Sequence, residues 1–373
     1  MTTSVLVVDD SALMRRAIKA ILTDTGEFEV DTARNGADAL ERLDRIHPDV
    51  VTLDVNMPEM DGLTCLAKIM EHRPTPVVMV SSLTERSALV TLEALELGAV
   101  DYVAKPGGTV SLNIDEVSGE LVEKVRAAAS ARLGGPAGSP RAALPTKASP
   151  IKARPTKGLP TKASPTKALP TKRSPMRQTD LVLIGSSTGG PQLLAQLLPQ
   201  LPADLGAPVV VAQHIPASFT AALARRLDDA CPLRVHEVDR VMTMERGCVY
   251  LGRGSADVVV ARRTDGLIVK SVPSGADYRW HPSVDRLVAS ARRHLDPARL
   301  VCVLLTGMGD DGAAEMAEVH RAGGRTIAES EETAVVWGMP GELARRHGAD
   351  AVLPSYAIAD RLADWVRSSG RET

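Results

Sequence analysis

The sequence predicts two doubly wound α/β domains, each built on a mainly parallel sheet and joined by a disordered linker. Three observations lead there. Apolar runs of strand length alternate with helix-period segments over residues 1–130, and the alternation returns over 180–373. Between them, residues 131–179 repeat Pro-Thr-Lys with few large apolar side chains. The chain has 373 residues, enough to bury two separate cores.

In the first part, Val5–Val8 is an apolar run and Ala12–Leu22 has helical spacing. Val50–Leu53 and Val77–Val80 are buried-strand candidates, and Tyr102–Ala104 is a short one. In the last part the expected strands are Leu181–Ile184, Val209–Ala212, Val249–Leu251, Val258–Val260, Leu267–Lys270, Val301–Leu305 and Arg325–Ala328, with helices between most of them. Pro191 opens one such helix, over Gln192–Leu198.

Composition excludes several classes. Aromatic residues make up only 2% of the chain, so Val, Leu, Ile, Ala and Met must build the cores. The apolar runs are too short and too punctuated to span a bilayer. Asp9 and Asp10 interrupt the N-terminal run, which argues against a signal peptide. Cys65, Cys231, Cys248 and Cys302 show neither metal nor redox spacing and read as reduced cysteines of a cytoplasmic protein.

The net charge of −2 hides a lopsided distribution. Residues 134–179 hold ten Lys/Arg and no Asp/Glu, leaving 34 basic against 46 acidic residues elsewhere. Proline recurs every fifth residue from Pro140 to Pro175. Such a segment cannot offset its ordering entropy by burial and is expected to be disordered and partly polyproline II. Fully extended at about 3.1 Å per residue, it would reach on the order of 140 Å. Its charges are sparse and lack interleaved aromatics, so no nucleic-acid partner is expected.

Ligands of open parallel sheets bind at the carboxyl ends of the strands. In the first domain those ends carry Asp9 and Asp10, then Asp54, Ser81 and Lys105-Pro106. Three crowded carboxylates suit Mg²⁺, and a carboxylate beside Mg²⁺ and an ammonium group can accept a phosphoryl group. The alternative for each aspartate alone is a helix cap. Val7-Val8-Asp9-Asp10-Ser11, the run Leu53–Gly62 and Ala104-Lys105-Pro106 resemble a response-regulator receiver domain over about residues 4–125. The resemblance implies a flavodoxin-like fold with Asp54 as phosphoacceptor. It implies Mg²⁺ held by Asp9, Asp10 and the Asn56 carbonyl, and Lys105 on the phosphoryl group. Ser81 takes the hydroxyl switch position and Tyr102 the aromatic one.

In the second domain, Ser187 lies in a glycine-rich turn after Leu181–Ile184, His214 follows Val209–Ala212, and Asp311 follows Val301–Leu305. If these strands are parallel, a hydroxyl, an imidazole and a carboxylate share one rim of the sheet, the parts of a nucleophilic hydrolase. Backbone N–H groups near Thr188 and Met308 are oxyanion-hole candidates. Each residue also has a plainer reading: turn serine, structural histidine, or cap of a helix over Ala313–His320. Gly185-x-Ser187-x-Gly189 formally matches a nucleophile elbow, but the order Ser, His, Asp is not that of α/β-hydrolases. Gly307-x-Gly309-x-x-Gly312, with Glu329 as the later acid, formally matches a dinucleotide turn. There Asp310 and Asp311 would repel a pyrophosphate.

Ile184–Gly190, Gln213–Thr220, Leu305–Ala313, His281–Asp285 and Val336–Pro340 resemble the catalytic domain of the CheB family of chemotaxis protein-glutamate methylesterases. The resemblance implies a Ser187–His214–Asp311 triad acting on glutamyl methyl esters of chemoreceptor cytoplasmic helices, with deamidation of glutamine side chains as a second activity. It implies a receiver that covers the site until the histidine kinase CheA phosphorylates Asp54. Contact with membranes would come only through the receptors. The chain departs from the family pattern at Ser186, where Ala is usual, and at Arg253-Gly254 and Asp257, where Pro-Gly and His are expected. Those last positions are expected to line the substrate cleft.

Overall fold

The computed structural model describes residues 2–82, 84–105, 114–131, 179–264 and 266–368. The Pro-Thr-Lys repeat and Pro106 lie outside the described residues.

The first domain runs β1 (Thr3–Val8), α1 (Ala12–Asp24), β2 (Phe28–Ala33), α2 (Gly36–Ile46), β3 (Val50–Asp54), α3 (Gly62–His72), β4 (Val77–Ser81), α4 (Glu85–Glu96), β5 (Asp101–Ala104) and α5 (Ile114–Ala129). Its sheet is parallel throughout, in the order β2-β1-β3-β4-β5. β3 and β4 are buried along their whole length, which is why they read as mainly apolar runs, interrupted in β3 only by Thr52 before the terminal Asp54. The edge strand β2 alternates buried and exposed positions and left no such run to find. The cap of α1 is Ser11, whose hydroxyl accepts the Met14 N–H at 3.4 Å. Asp9 and Asp10 are therefore left at the end of β1 for other work.

The second domain runs β6 (Leu181–Ser186), α6 (Gly190–Leu197), β7 (Val209–Gln213), α7 (Ala217–Ala230), β8 (Arg234–Val238), β9 (Met242–Thr243), β10 (Cys248–Gly252), β11 (Ala256–Arg263) and β12 (Gly266–Pro273). It continues with α8 (Val284–His294), β13 (Leu300–Leu304), α9 (Ala313–Arg321), β14 (Arg325–Glu329), α10 (Met339–Arg345), β15 (Ala351–Leu353) and α11 (Ser355–Ser368). Seven parallel strands follow the order β15-β14-β13-β6-β7-β10-β8. The runs expected at Val258–Val260 and Leu267–Lys270 do not join this sheet. They pair antiparallel with each other, and β9 adds on, as a separate three-stranded sheet. The physical reason is the connection: Arg263 pairs with Gly266 across a two-residue link, too short for a parallel crossover.

Both faces of the large sheet are covered. Val182, Ile184, Val209, Val211, Val301 and Val303 belong to one buried cluster, and Leu181, Leu183, Val210, Cys302 and Leu304 to the other. Each Val, Leu or Ile among them contributes about 1.5–3 kcal/mol by leaving water. The consequence for function is the central trio β13-β6-β7. The chain leaves β6 toward β7 on one side and β13 lies on the other, so three loops meet at one switch point.

Candidate active site

Ser187, His214 and Asp311 sit on the loops that leave β6, β7 and β13. Ser187 and His214 face a cleft of about 380 Å³, together with Thr188, Ile215, Trp280, His281 and Met308. Backbone bonds tie the three loops together. The Ser187 N–H donates to Thr306 O at 3.0 Å, and the His214 N–H donates to Ser186 O at 3.0 Å. The buried Gln213 side chain donates from Nε2 to Ser187 O and to His214 O, both at 2.9 Å, and its Oε1 accepts the Ser186 hydroxyl at 2.6 Å. That bond gives the Ser186 hydroxyl a buried partner. Gly190 must be glycine here, because a Cβ would lie 2.0 Å from Gln213 Oε1. At Gly307 a Cβ would come within 2.8 Å of Ser187 Cβ.

His214 Nε2 meets Asp311 Oδ2 at 2.8 Å. Asp311 is held by more than the histidine. Its Oδ1 accepts from Ser283 Oγ at 3.1 Å and the Asp285 N–H at 2.9 Å, and its Oδ2 accepts from the Val284 N–H at 2.8 Å. These donors are the cap and first turn of α8, a ready-made anion site. Burial alone would push the Asp311 carboxyl up, but His214 and the α8 N–H groups outweigh it and hold it below the usual carboxylate range. An ionised Asp311 only accepts, so Nε2 carries a proton, and in the neutral imidazole the lone pair is on Nδ1. Nδ1 is buried and has no partner among the described residues. Trp280 stacks on the imidazole with centroids 5.5 Å apart. The cap of α9 is Gly312, so Asp311 does not cap that helix. Asp310, its neighbour, is exposed.

Thr188 and Met308 border the serine, and neither backbone N–H has a partner among the described residues. The Thr188 side chain is engaged: its hydroxyl donates to Asp101 Oδ2 of the first domain at 2.5 Å. The sequence reading missed Ser283, Gln213 and Trp280 as parts of the site. Only the recurrence of Gln213 and Ser283 inside family-like runs could have pointed to them. Asp257 corrects an expectation. It is fully buried and does not line the cleft. It accepts from the Ser283 N–H at 2.8 Å, faces His281 Nδ1 at 2.9 Å and pairs with Arg286, so it braces the turn that opens α8. Arg253 is exposed and does not border the cleft.

In the first domain, Lys105 Nζ lies 2.7 Å from Asp54 Oδ2 and 2.9 Å from Asp9 Oδ2. Burial pushes the Asp54 carboxyl up and Asp9 adds to this, while Lys105 opposes it. Carboxylate oxygens of Asp9, Asp10 and Asp54 lie within 4.8 Å of one another, a donor set that fits a hard divalent cation. Asn56 donates its N–H to Asp54 Oδ1 at 3.2 Å. Ser81 is buried at the end of β4, its Oγ accepting from Thr91 Oγ1 at 2.9 Å. Tyr102 does not turn to solvent: it stacks on Phe219 of α7 at 4.5 Å between centroids, across the domain contact.

The first domain also closes one side of the cleft, through Asp101, Glu120 and Lys124. Arg279 of the second domain pairs with Glu123 of α5, and Arg226 of α7 with Glu96 of α4.

Comparison with known proteins now bears on this geometry. The response regulator receiver domain matches residues 5–113 and CheB methylesterase matches residues 182–362. A protein-glutamate methylesterase/protein-glutamine glutaminase of Rhodospirillum rubrum is 52% identical over 371 residues, covering 100% of this chain and 98% of its own length. The chain belongs to the CheB methylesterase family. A second member, from Rhodopseudomonas palustris, is 51% identical over 360 residues, covering 96% of this chain and 97% of its own. The crystal structure of the Thermotoga maritima CheB methylesterase catalytic domain is 36% identical, covers 50% of this chain and 98% of that one, and gives a TM-score of 0.48. In this chain the receiver match lies ahead of the catalytic-domain match. Among the described residues no helix is long and apolar enough to cross a membrane.

One carboxyl near the site titrates unusually. Burial pushes Glu329 up to about 7 from an ordinary 4.5. A folded pKa above the unfolded one means that the folded state binds more protons between those values, so stability falls as pH rises through that window. The full shift corresponds to on the order of 3 kcal/mol. Glu329→Gln removes this loss. Thermal midpoints of wild type and variant should coincide near pH 4.5 and separate by several degrees at pH 8, the variant higher. Equal midpoints at both pH values would refute a charged, buried Glu329.

Proposed function

We propose that this chain is a phosphorylation-activated protein-glutamate methylesterase and protein-glutamine glutaminase acting on chemoreceptor cytoplasmic helices in sensory adaptation. The observation that carries the catalytic half is the His214–Asp311 pair, which leaves a buried, unpartnered Nδ1 beside the Ser187 cleft. His214 Nδ1 takes the proton as Ser187 Oγ attacks the ester carbonyl carbon. The Thr188 and Met308 N–H groups receive the developing oxyanion, worth roughly 3 kcal/mol per donor. The tetrahedral intermediate collapses, the C–OCH₃ bond breaks, and His214 returns the proton to the departing methoxide oxygen, releasing methanol. Water, activated by the same imidazole, then splits the acyl-serine to a glutamate side chain. With a glutamine side chain the leaving group is ammonia.

In the receiver, residues 1–130, Asp54 is the phosphoacceptor, and Lys105 steadies the phosphoryl charge. Asp9, Asp10 and the Asn56 carbonyl would hold Mg²⁺, which supplies charge neutralisation during phosphoryl transfer. Ser81 and Tyr102 report the change to the domain contact, and the stack of Tyr102 on Phe219 supports that route. The kinase is CheA, the setting is the cytoplasm, and residues 131–179 tether the receiver to the catalytic domain, 180–373.

The test is methanol release by the full chain from a methylated chemoreceptor cytoplasmic fragment, with and without a small-molecule phosphodonor and Mg²⁺. Release should rise with the phosphodonor in wild type and stay at the basal level in Asp54→Asn. No release by wild type, with Asp54 phosphorylated, would sink the esterase reading and leave the receiver reading standing.

A further inference from the structure

Glu329 is the later acid of the formal dinucleotide match, and its carboxyl is fully buried at the end of β14. Its Oε2 accepts the Thr306 N–H at 2.7 Å, and its Oε1 accepts the Thr333 hydroxyl at 2.9 Å. Thr306 is the hub of the nucleophile loop. Its carbonyl accepts the Ser187 N–H at 3.0 Å. Its hydroxyl donates to Thr188 O at 2.9 Å and accepts the Val336 N–H at 3.0 Å. Two residues on lies Met308, which lines the cleft. The Glu329 carbonyl accepts Trp337 Nε1–H at 2.8 Å, tying in the loop on the other side of Gly307.

We infer that Glu329 is a positioning residue for ester hydrolysis: through Thr306 it sets the backbone of Ser187, Thr188 and Met308, and so the spacing between nucleophile and oxyanion donors. This rests on the triad reading above. The carboxyl touches neither substrate nor reacting atoms, and its influence runs through one N–H. A buried carboxyl at this place is costly, since its charged form is desolvated. A bare packing role would be served as well by leucine. What leucine lacks is the acceptor for Thr306, and an N–H left unsatisfied there pulls the loop toward another partner.

Two full-chain variants decide it. Glu329→Gln keeps an acceptor for Thr306 and offers its amide to the Thr333 oxygen, so kcat should stay within about threefold of wild type. Glu329→Leu keeps the volume and removes the acceptor. Its kcat should fall about tenfold to a hundredfold, the usual loss when a reacting geometry slips by an ångström, with KM nearly unchanged. Far-ultraviolet circular dichroism and phosphodonor labelling of Asp54 confirm that each variant is folded. A folded Leu variant with wild-type kcat would overturn the inference, as would a Gln variant as impaired as Leu, or a loss confined to KM. Wild-type turnover in the same assay separates these outcomes from failure of the triad reading itself.

Discussion

Replacing Asp311 with Asn is expected to lower kcat about 10⁴-fold, the loss seen when the orienting carboxylate of a serine triad becomes an amide. The carboxylate accepts from four donors, two on each oxygen. An amide has one oxygen, so two of those donors face an NH₂ whichever way it turns. If the NH₂ takes the Oδ2 side, the Val284 N–H loses its acceptor and His214 must present a lone pair at Nε2. The proton then sits on Nδ1, and the group that should accept the serine proton is blocked. If it takes the Oδ1 side, the Asp285 N–H and Ser283 hydroxyl lose theirs, and the first turn of α8 shifts. Either way stability drops by about 1–3 kcal/mol for a buried donor left unmet. Methanol-release kinetics and a thermal melt read both effects, and a loss of activity under tenfold would mean that Asp311 does not orient the base.

The second large effect concerns the domain contact. Asp101→Ala should raise turnover without phosphodonor about tenfold, equivalent to about 1.4 kcal/mol off the closed arrangement. Of the contacts it removes, the one that crosses the domains joins Asp101 Oδ2 to the hydroxyl of Thr188, a residue lining the cleft, and both side chains are buried; within the first domain Asp101 Oδ1 also accepts the Tyr102 N–H at 2.8 Å and lies 3.3 Å from Lys124 Nζ. A buried bond to a charged acceptor is worth about 1.5–3 kcal/mol, whereas the more exposed Arg226–Glu96 and Arg279–Glu123 pairs are worth about 0–1 kcal/mol each. Glu96→Ala should therefore change basal turnover less than about threefold. The phosphodonor-stimulated rate should be the same in all three proteins. Equal basal rates in wild type and Asp101→Ala would show that this bond does not hold the site closed.

Legibility followed burial. β1, β3, β4, β6, β7 and β13 lie inside their sheets, covered on both faces, and their Val/Leu/Ile-rich runs announce them. β8 and β15 are edge strands with mixed burial, like β2: β8 breaks its apolar positions with Arg, His and Glu, and β15 is only three residues long. β11 and β12 were legible as strands but not as a hairpin apart from the main sheet. Ser187, His214 and Asp311 could be read because a parallel sheet sends every strand end to one rim. Ser283, Gln213, Trp280 and Glu329 could not, because each acts on a loop distant in sequence, and no local pattern encodes that meeting.

From residue order alone come the two α/β domains, the receiver carboxylates and the candidates for nucleophile, base and acid, since periodicity and strand ends are local properties of the chain. Tertiary structure decided the rest. It brought the first turn of α8 onto Asp311, which keeps that carboxyl ionised and makes Nδ1 the free nitrogen of His214. It also set Asp101 of the receiver on the hydroxyl of Thr188. Protonation state, tautomer and occlusion are properties of surroundings, and surroundings exist only once the distant segments have packed.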